Sequence, residues 1–410
     1  MSNHALVFGA SGISGIPILR NLLSNPAFSL VTGLTSRPFS LDPLTQKVLE
    51  IDTSSPKLQL VSGLDLSDPT DHVRGFLKTN VKKINTVTHV FFVAFKEVPQ
   101  DPDEETRLNI GFVRHGIGAI DSLASESLKF VVLQTGGKAY GVQYQEYVEV
   151  NAPLKEESPR VPEPFASKIF YYGQVDALRE LSKDKKWSWA EVRPDVIVGT
   201  VPRGNFMNAA VGIAIYLSMK SVLEPGSTVE YPGTGDAYTT RHSDSDHDVS
   251  ARFQIHLALK AGDSEEGRKK LSGKAYNIVD GPEPVTWSTK WPALCTYFGL
   301  EGAPPPTPIT PPRMEDFYLS TPLQQYVDKN KEEYLTRLKQ KGLNTATIEE
   351  TLNQGGSSMR FAGIILIFGG RDRFYDLTNA REVAEFTETV DPVNSYITQF
   401  AKMKELGIIP

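Results

Sequence analysis

Ala5-Leu6-Val7-Phe8-Gly9-Ala10-Ser11-Gly12-Ile13-Ser14-Gly15-Ile16-Pro17-Ile18-Leu19-Arg20-Asn21-Leu22-Leu23 runs an apolar strand into a glycine-rich turn and then into a helix. Glycines in a turn carry little information alone. Here a strand leads in, and the helix that leaves carries Ile16, Leu19, Leu22 and Leu23 on its apolar side. In that setting each glycine has a task. Gly9 permits the tight turn, Gly12 lets backbone approach a pyrophosphate, and Gly15 allows the helix to pack closely on the strand. The phosphates would meet the N–H groups that open the helix, beside Ser11 and Ile13.

Working outward, β-branched and aromatic runs alternate with helical stretches up to about residue 200: SLVTGL, LQLVSGLDL, HVFFVAF, a helix near 106–124, FVVLQT and AEVRPDVIVG. Alternation of this kind implies βαβ units and a parallel sheet covered by helices on both faces. The fold class is therefore α/β, a Rossmann-type doubly wound sheet over residues 1–200, with later segments returning to it. Residues 201–410 form a smaller substrate-covering region. That region is expected to hold helices near 208–220, 246–261 and 323–342, and strands at 229–231 and 275–278. A proline-rich connection at 303–312 is expected to be extended, because proline lacks the amide hydrogen that helix and central sheet need.

At 410 residues the chain is long enough for a nucleotide-binding domain and a second region. Hydrophobic residues at 40% and charged residues at 22% suit a globular protein with ample core. The net charge of −6, with no basic run, argues against a nucleic-acid partner. No apolar stretch reaches the ~20 residues that span a bilayer. The N-terminal sequence enters a strand at once, without the apolar region of a signal peptide, and the single cysteine, Cys295, fits a reducing compartment. A cytoplasmic protein without membrane partner is expected.

Cofactor choice is read at the end of the second strand, Thr32-Gly33-Leu34-Thr35-Ser36-Arg37-Pro38. An acid there would bind the ribose hydroxyls and repel a 2′-phosphate. This segment has none, and Ser36 and Arg37 can donate to a phosphate, so NADP(H) is the expected cofactor. After the third strand, Asp65-Leu66 stands where this fold meets the adenine; a turn aspartate explains the residue as well.

A Tyr-x-x-x-Lys match, Tyr216 to Lys220, lies after Arg193-Pro194. The short-chain dehydrogenases, to which the G-x-x-G-x-x-G spacing points, carry their catalytic tyrosine before that segment, so this match is read as chance. Two other pieces carry the argument: Leu133-Gln134-Thr135-Gly136-Gly137-Lys138-Ala139-Tyr140-Gly141 and Lys168-Ile169-Phe170-Tyr171-Tyr172-Gly173. They resemble the TG-x-K-x-Y-x-G and N-F-Y-Y motifs of the progesterone 5β-reductase and iridoid synthase family, an atypical branch of the extended short-chain dehydrogenases. Thr88-His89-Val90-Phe91-Phe92-Val93, Trp187-Ser188, Arg193-Pro194, Ser245-Asp246, Ala275-Tyr276-Asn277, Trp287 and Ile408-Ile409-Pro410 follow in family order.

The resemblance implies Tyr171 as the catalytic tyrosine, Lys138 as its partner, Arg37 as the 2′-phosphate contact, and Val196 and Ile197 beside the nicotinamide carboxamide. Val93 and Ala94 complete the expected cofactor set. A homodimer is implied on the same ground. Lys168-Ile169 before the Phe-Tyr-Tyr, and Asp195 in place of a small residue after Arg-Pro, depart from the family pattern, so its substrates are not carried over.

The expected reaction is NADPH-dependent reduction of an enone or carbonyl small molecule, 1,4-reduction favoured, on a hydrophobic substrate, in specialised metabolism. A tyrosine hydroxyl aimed at the carbonyl oxygen would stabilise the enolate, a contribution of ~3 kcal/mol. Tyr172 is a rival, and because successive helical residues point ~100° apart only one of the pair faces the nicotinamide. Phe95, Tyr140, Phe206, Met207, Asn208 and Tyr216 are candidate substrate contacts, though an apolar core face explains the last four almost as well. An isomerase or cyclase using the same cavity, and an NADP(H)-sensing binding protein, are the alternatives. In the cluster from His242 to Asp248, Asp246 and Asp248 are read as helix caps rather than metal ligands.

Overall fold

The computed structural model describes residues 2–98, 101–202, 207–306, 321–354 and 356–410, without the side chains of 354, 356 and 357. The described strands are β1 (Asn3–Phe8), β2 (Phe28–Thr35), β3 (Leu58–Ser62), β4 (His89–Phe92), β5 (Phe130–Gln134), β6 (Ser188–Pro194), β7 (Val196–Val198), β8 (Thr228–Glu230), β9 (Asp244–Asp246), β10 (Ala275–Ile278) and β11 (Glu301–Ala303). One sheet takes the order β10-β6-β5-β4-β1-β2-β3, with all neighbours parallel. It is the doubly wound sheet that the alternating pattern predicts.

Successive side chains of a strand point to opposite faces, and β1 shows how both faces are covered. Ala5 and Val7 pack with Ile18, Leu19 and Leu22 of the helix Gly15–Ser24 and with Phe253 and Leu257 of the helix His247–Gly262. Leu6 and Phe8 pack on the other side with Phe112 and Ile117 of the helix Pro102–Ala124 and with Leu178 of the helix Phe170–Leu181. The strand order reverses between β1 and β4. Such a switch point opens a crevice at the carboxyl ends of the strands.

Local chemistry sets the helix starts. Pro102–Ala124 begins earlier than the apolar pattern predicts, because the Asp101 side chain accepts from Glu104 N at 2.9 Å and Pro102 occupies the first turn. Asp246 caps His247–Gly262 by accepting from Asp248 N at 2.8 Å and Val249 N at 3.1 Å. Asp248 corrects its own reading: its carboxylate pairs with Arg20 instead of capping.

Beyond residue 200 a second core gathers around the helix Ala209–Leu223, which is buried on nearly every side. The helix Gly356–Ile367 crosses it closely, since a Cβ on Gly212 would stand 2.6 Å from Ala362 Cβ. β10 lies at the edge of the main sheet, so the later part of the chain returns to the first layer structure. Of the proline-rich stretch, residues 307–312 lie outside the described residues. Among the described residues no helix is long and apolar enough to cross a membrane.

Candidate functional site

The crevice at the switch point opens into one cavity of about 780 Å³. Its first wall is the 9–15 turn. Gly9 has φ +85°, in the region only glycine enters without cost, and it donates to Leu34 O at 3.2 Å. Gly12 N then donates to Gly9 O at 3.0 Å. A Cβ on Gly15 would stand 2.2 Å from Gly9 O, so glycine is needed for the helix to start this close to the strand.

Gly9, Ser11, Gly12 and Ile13 line the cavity, whereas Gly15 lies behind the turn as a packing position. Ser36 and Arg37 line it from the end of β2, exposed at its mouth. Thr35 Oγ1 fixes their loop by donating to Arg37 O at 2.7 Å. Asp65 and Leu66 line the cavity after β3. One oxygen of Asp65 also accepts from Ser67 N at 2.8 Å, and the Ser67 hydroxyl is the main cause of its lowered pKa. The residue thus has the turn role and the cavity position together. Val93 and Ala94 after β4, and Val196 and Ile197 of β7, complete this half.

The opposite wall is built where β5 ends. A Cβ on Gly136 would stand 3.4 Å from the Tyr171 hydroxyl, and one on Gly137 only 2.3 Å from the Tyr375 hydroxyl. Two successive glycines thus let two phenols descend onto the loop that carries Lys138. Tyr171 and Lys138 both line the cavity, and no hydrogen bond joins them.

Tyr171 and Tyr172 have separate tasks. The Tyr172 hydroxyl donates to Ala139 O at 2.6 Å and accepts from Val161 N at 3.2 Å, while the Arg160 guanidinium covers its ring at 4.8 Å. It is a buried strut. The Tyr171 hydroxyl bonds to no described residue. Enclosure by the cavity walls raises its pKa above the ordinary phenol range, with Glu105 and Glu191 adding to the rise. A phenol held this way is protonated at neutral pH and is a donor.

Other groups were not singled out in the sequence. Asn109 is fully buried in Pro102–Ala124; its Oδ1 accepts from Lys96 N at 3.0 Å and its Nδ2 donates to Lys96 O at 2.8 Å. It fixes the cavity loop after β4. An asparagine inside the apolar stripe of Leu108, Phe112 and Val113 is the sequence signal for it. Gln174, one turn beyond Tyr171, donates to Asn109 O at 2.9 Å, and its Oε1 has no partner among the described residues. Gln134 donates to Ser14 Oγ at 2.7 Å and so ties β5 to the phosphate turn. Glu97 pairs with Arg360 at 2.9 Å, joining the β4 loop to Gly356–Ile367. Burial raises the Glu97 pKa, and Arg360 and Lys138 oppose the rise.

The substrate candidates divide. Phe95 and Met207 line the cavity, with Phe95 stacked on Phe170 at 5.6 Å. Phe206 lies outside the described residues. Tyr140 is buried and donates to Asn277 Oδ1 at 2.6 Å; Asn208 caps Ala209–Leu223 through Val211 N at 3.3 Å; Tyr216 packs on Trp291 and Tyr326 in the second core. These three are placed in structure rather than at the cavity, because buried partners claim their polar atoms or their rings. Lys220 bonds to Glu224 at 3.1 Å, away from the site. Phe361, Ile364, Ile365 and Phe368 add apolar lining. Among the described residues no cluster of His, Cys, Asp and Glu is arranged to hold a metal ion.

Comparison with known proteins agrees with this fold. A family model described as a PRISE-like Rossmann-fold domain matches residues 5–410. The short chain dehydrogenase ausT of Aspergillus calidoustus is 37% identical over 309 residues, 73% of this chain and 72% of that protein. The short chain dehydrogenase sirQ of Leptosphaeria maculans is 37% identical over 73% of this chain and 75% of its own length. The short chain dehydrogenase gsfE of Penicillium aethiopicum is 27% identical over 100% of both. Among solved structures, the Bordetella bronchiseptica enzyme WbmG in complex with NAD shares the fold with a TM-score of 0.61 at 12% identity, covering 100% of this chain and 96% of that one. The Thermotoga maritima UDP-glucose 4-epimerase gives 0.61 at 14% identity over 98% and 99%. The chain therefore belongs to the PRISE-like Rossmann-fold family, an extended branch of the short-chain dehydrogenases.

Proposed function

We propose that this protein is an NADPH-dependent reductase of a hydrophobic enone or carbonyl compound, with 1,4-reduction the favoured course. The observation that carries the reading is the Tyr171 hydroxyl. It bonds to no described residue, sits over Gly136, and lines a cavity continuous with the 9–15 turn. Gly9, Ser11, Gly12 and Ile13 would hold the pyrophosphate, Ser36 and Arg37 the 2′-phosphate, Asp65 and Leu66 the adenine, and Val93, Ala94, Val196 and Ile197 the nicotinamide. The crevice fits such a group, because Gly9 and Gly12 line it with backbone alone and carry no side chain where the phosphates would approach the turn. NADPH, when bound, supplies a hydride.

Attack at the β-carbon of an enone builds negative charge on the carbonyl oxygen. Tyr171, kept protonated by its enclosure, donates a hydrogen bond to that oxygen in a site screened by Phe95 and Phe170. Lys138 places an ammonium in the same cavity, where it would hold the ribose. A proton from water then completes the α-carbon. With its pKa raised, the phenol stays protonated at neutral pH and so is present as a donor rather than as a phenolate base.

The test is loss of absorbance at 340 nm with NADPH and a panel of enones. Oxidation by the native protein that falls at least a hundredfold in Tyr171→Phe supports the reading. Isomerisation or cyclisation of substrate without net NADPH loss would refute it.

A further inference from the structure

We propose that Arg373 determines specificity in the substrate half of the cavity, its guanidinium receiving an uncharged carbonyl oxygen on a part of the substrate remote from the reacting group. The proposal rests on the reductase reading above and names a second feature of the substrate.

The backbone of Arg373 is fixed on both sides, its N donating to Arg241 O at 2.8 Å and its O accepting from Ser243 N at 3.1 Å. Its side chain is anchored through Nε alone, which donates to Asp195 Oδ2 at 2.9 Å. The two terminal nitrogens have no partner among the described residues, yet neither is sealed off. The side chain keeps 17% of its surface, and Arg373 lines the cavity. A guanidinium holds five N–H donors in a fixed plane, and here the protein uses the one on Nε and leaves the outer fork to the cavity. Arg371, two residues earlier, is exposed and turns to Val148 O at 3.4 Å.

Asp195 sets where that fork stands. It lies between β6 and β7, beside Val196 and Ile197, and its N donates to Ser245 Oγ at 2.9 Å, while the same hydroxyl donates to Ile278 O at 2.8 Å. Its Oδ1 is 3.4 Å from the position of a Cβ on Gly137, the residue after the glycine whose Cβ would meet the Tyr171 hydroxyl at 3.4 Å. The Asp195–Arg373 pair therefore adjoins the reacting wall and is held before any ligand arrives.

The charge balance decides which oxygen fits. Asp195, only 6% exposed, offsets the guanidinium, so a ligand meets N–H donors on a pair without net charge. A ligand carboxylate would lose its hydration and face the negative charge of Asp195. A ketone or ester carbonyl gives up far less hydration and takes the same donors. The other carboxylates near it on the wall are balanced as well, Glu97 by Arg360 and Asp372 by Arg241.

The test uses benzylideneacetones that carry a methyl ester, a carboxylate or a methyl group at the meta or para position of the ring. They are titrated into NADP⁺-loaded protein by calorimetry and tryptophan fluorescence. The native protein is expected to bind one of the esters about tenfold more tightly than the matching methyl compound and the matching carboxylate. Asp195→Asn keeps an oxygen for Arg373 Nε and uncovers the positive charge, so the carboxylate should become the tightest of the three. Arg373→Met combined with Asp195→Asn removes both charges together, and ester and methyl compounds should then bind alike. Native protein that binds neither ester better than its methyl counterpart, or that prefers a carboxylate, overturns the proposal without recourse to a variant. An order unchanged in Asp195→Asn, or an ester preference that survives the double variant, overturns it too. NADP⁺ binding is measured first: its absence overturns the reductase reading and this proposal with it, whereas NADP⁺ bound without an ester preference overturns only the role of Arg373.

Discussion

Replacing Tyr171 and its neighbour Tyr172 by Phe, one at a time, removes the same oxygen from adjacent positions and should give opposite results. The Tyr171 hydroxyl has no partner among the described residues, so its loss strands no described group and stability should stay within about 0.5 kcal/mol. If it donates to the developing enolate, kcat falls by about 10²–10³, or roughly 3–4 kcal/mol. Tyr172→Phe strands Ala139 O and Val161 N, which Tyr172 serves at 2.6 and 3.2 Å. Unpaired buried groups cost about 1–3 kcal/mol each, so a loss of about 2–4 kcal/mol and a Tm lower by several degrees is expected, with kcat largely kept. Thermal unfolding and single-turnover NADPH oxidation on both variants read the two effects separately. Full activity in Tyr171→Phe, or destabilisation equal in the two variants, would refute the assignment of roles.

Gly15→Ala would put a methyl 2.2 Å from Gly9 O and 2.7 Å from Ala10 C, backbone atoms that cannot turn aside; nucleotide titration should show binding lost and unfolding should show a cost of about 1–3 kcal/mol. Arg37→Ala removes a charge-assisted contact of about 1.5–3 kcal/mol, so fluorescence titration should find NADPH weakened about 10–100-fold and NADH unchanged. Glu156 is partly buried and accepts from Asn277 N at 2.7 Å, and burial pushes its pKa up to about 7 from 4.5. A carboxyl raised on folding contributes stability that is present below the unfolded value and lost as pH rises through the folded one. Native protein should therefore lose up to about 3 kcal/mol between pH 4.5 and 7 at this site, and Glu156→Gln should flatten that part of the Tm-against-pH curve.

Much of the architecture is legible in the sequence because its signals are local. The strand, turn and helix around Gly9 to Gly15 announce the crevice, and alternating runs give the sheet. Asp246 was readable as a cap from its place before an apolar run. Tyr216 and Asn208 were not readable, because Ala209–Leu223 is apolar on nearly all sides and its periodicity cannot say which face meets the cavity. Pairings between distant segments were equally hidden. Arg373 meets His242 and Asp195 only in the fold, from segments far apart in sequence, and Asp195 was visible only as a departure from pattern. Lys290 and Asp244, a fully buried ion pair against Trp287, likewise have no signature in spacing.

A crystal structure of the NADP⁺ complex bears most directly on the reductase reading, since it needs no knowledge of the substrate. The nicotinamide is expected on the cavity side of Gly136 and Gly137, with its C4 facing the space in front of the Tyr171 hydroxyl and the 2′-phosphate at Ser36 and Arg37. A nicotinamide lodged elsewhere, or a Tyr171 hydroxyl turned from its C4, would contradict the account.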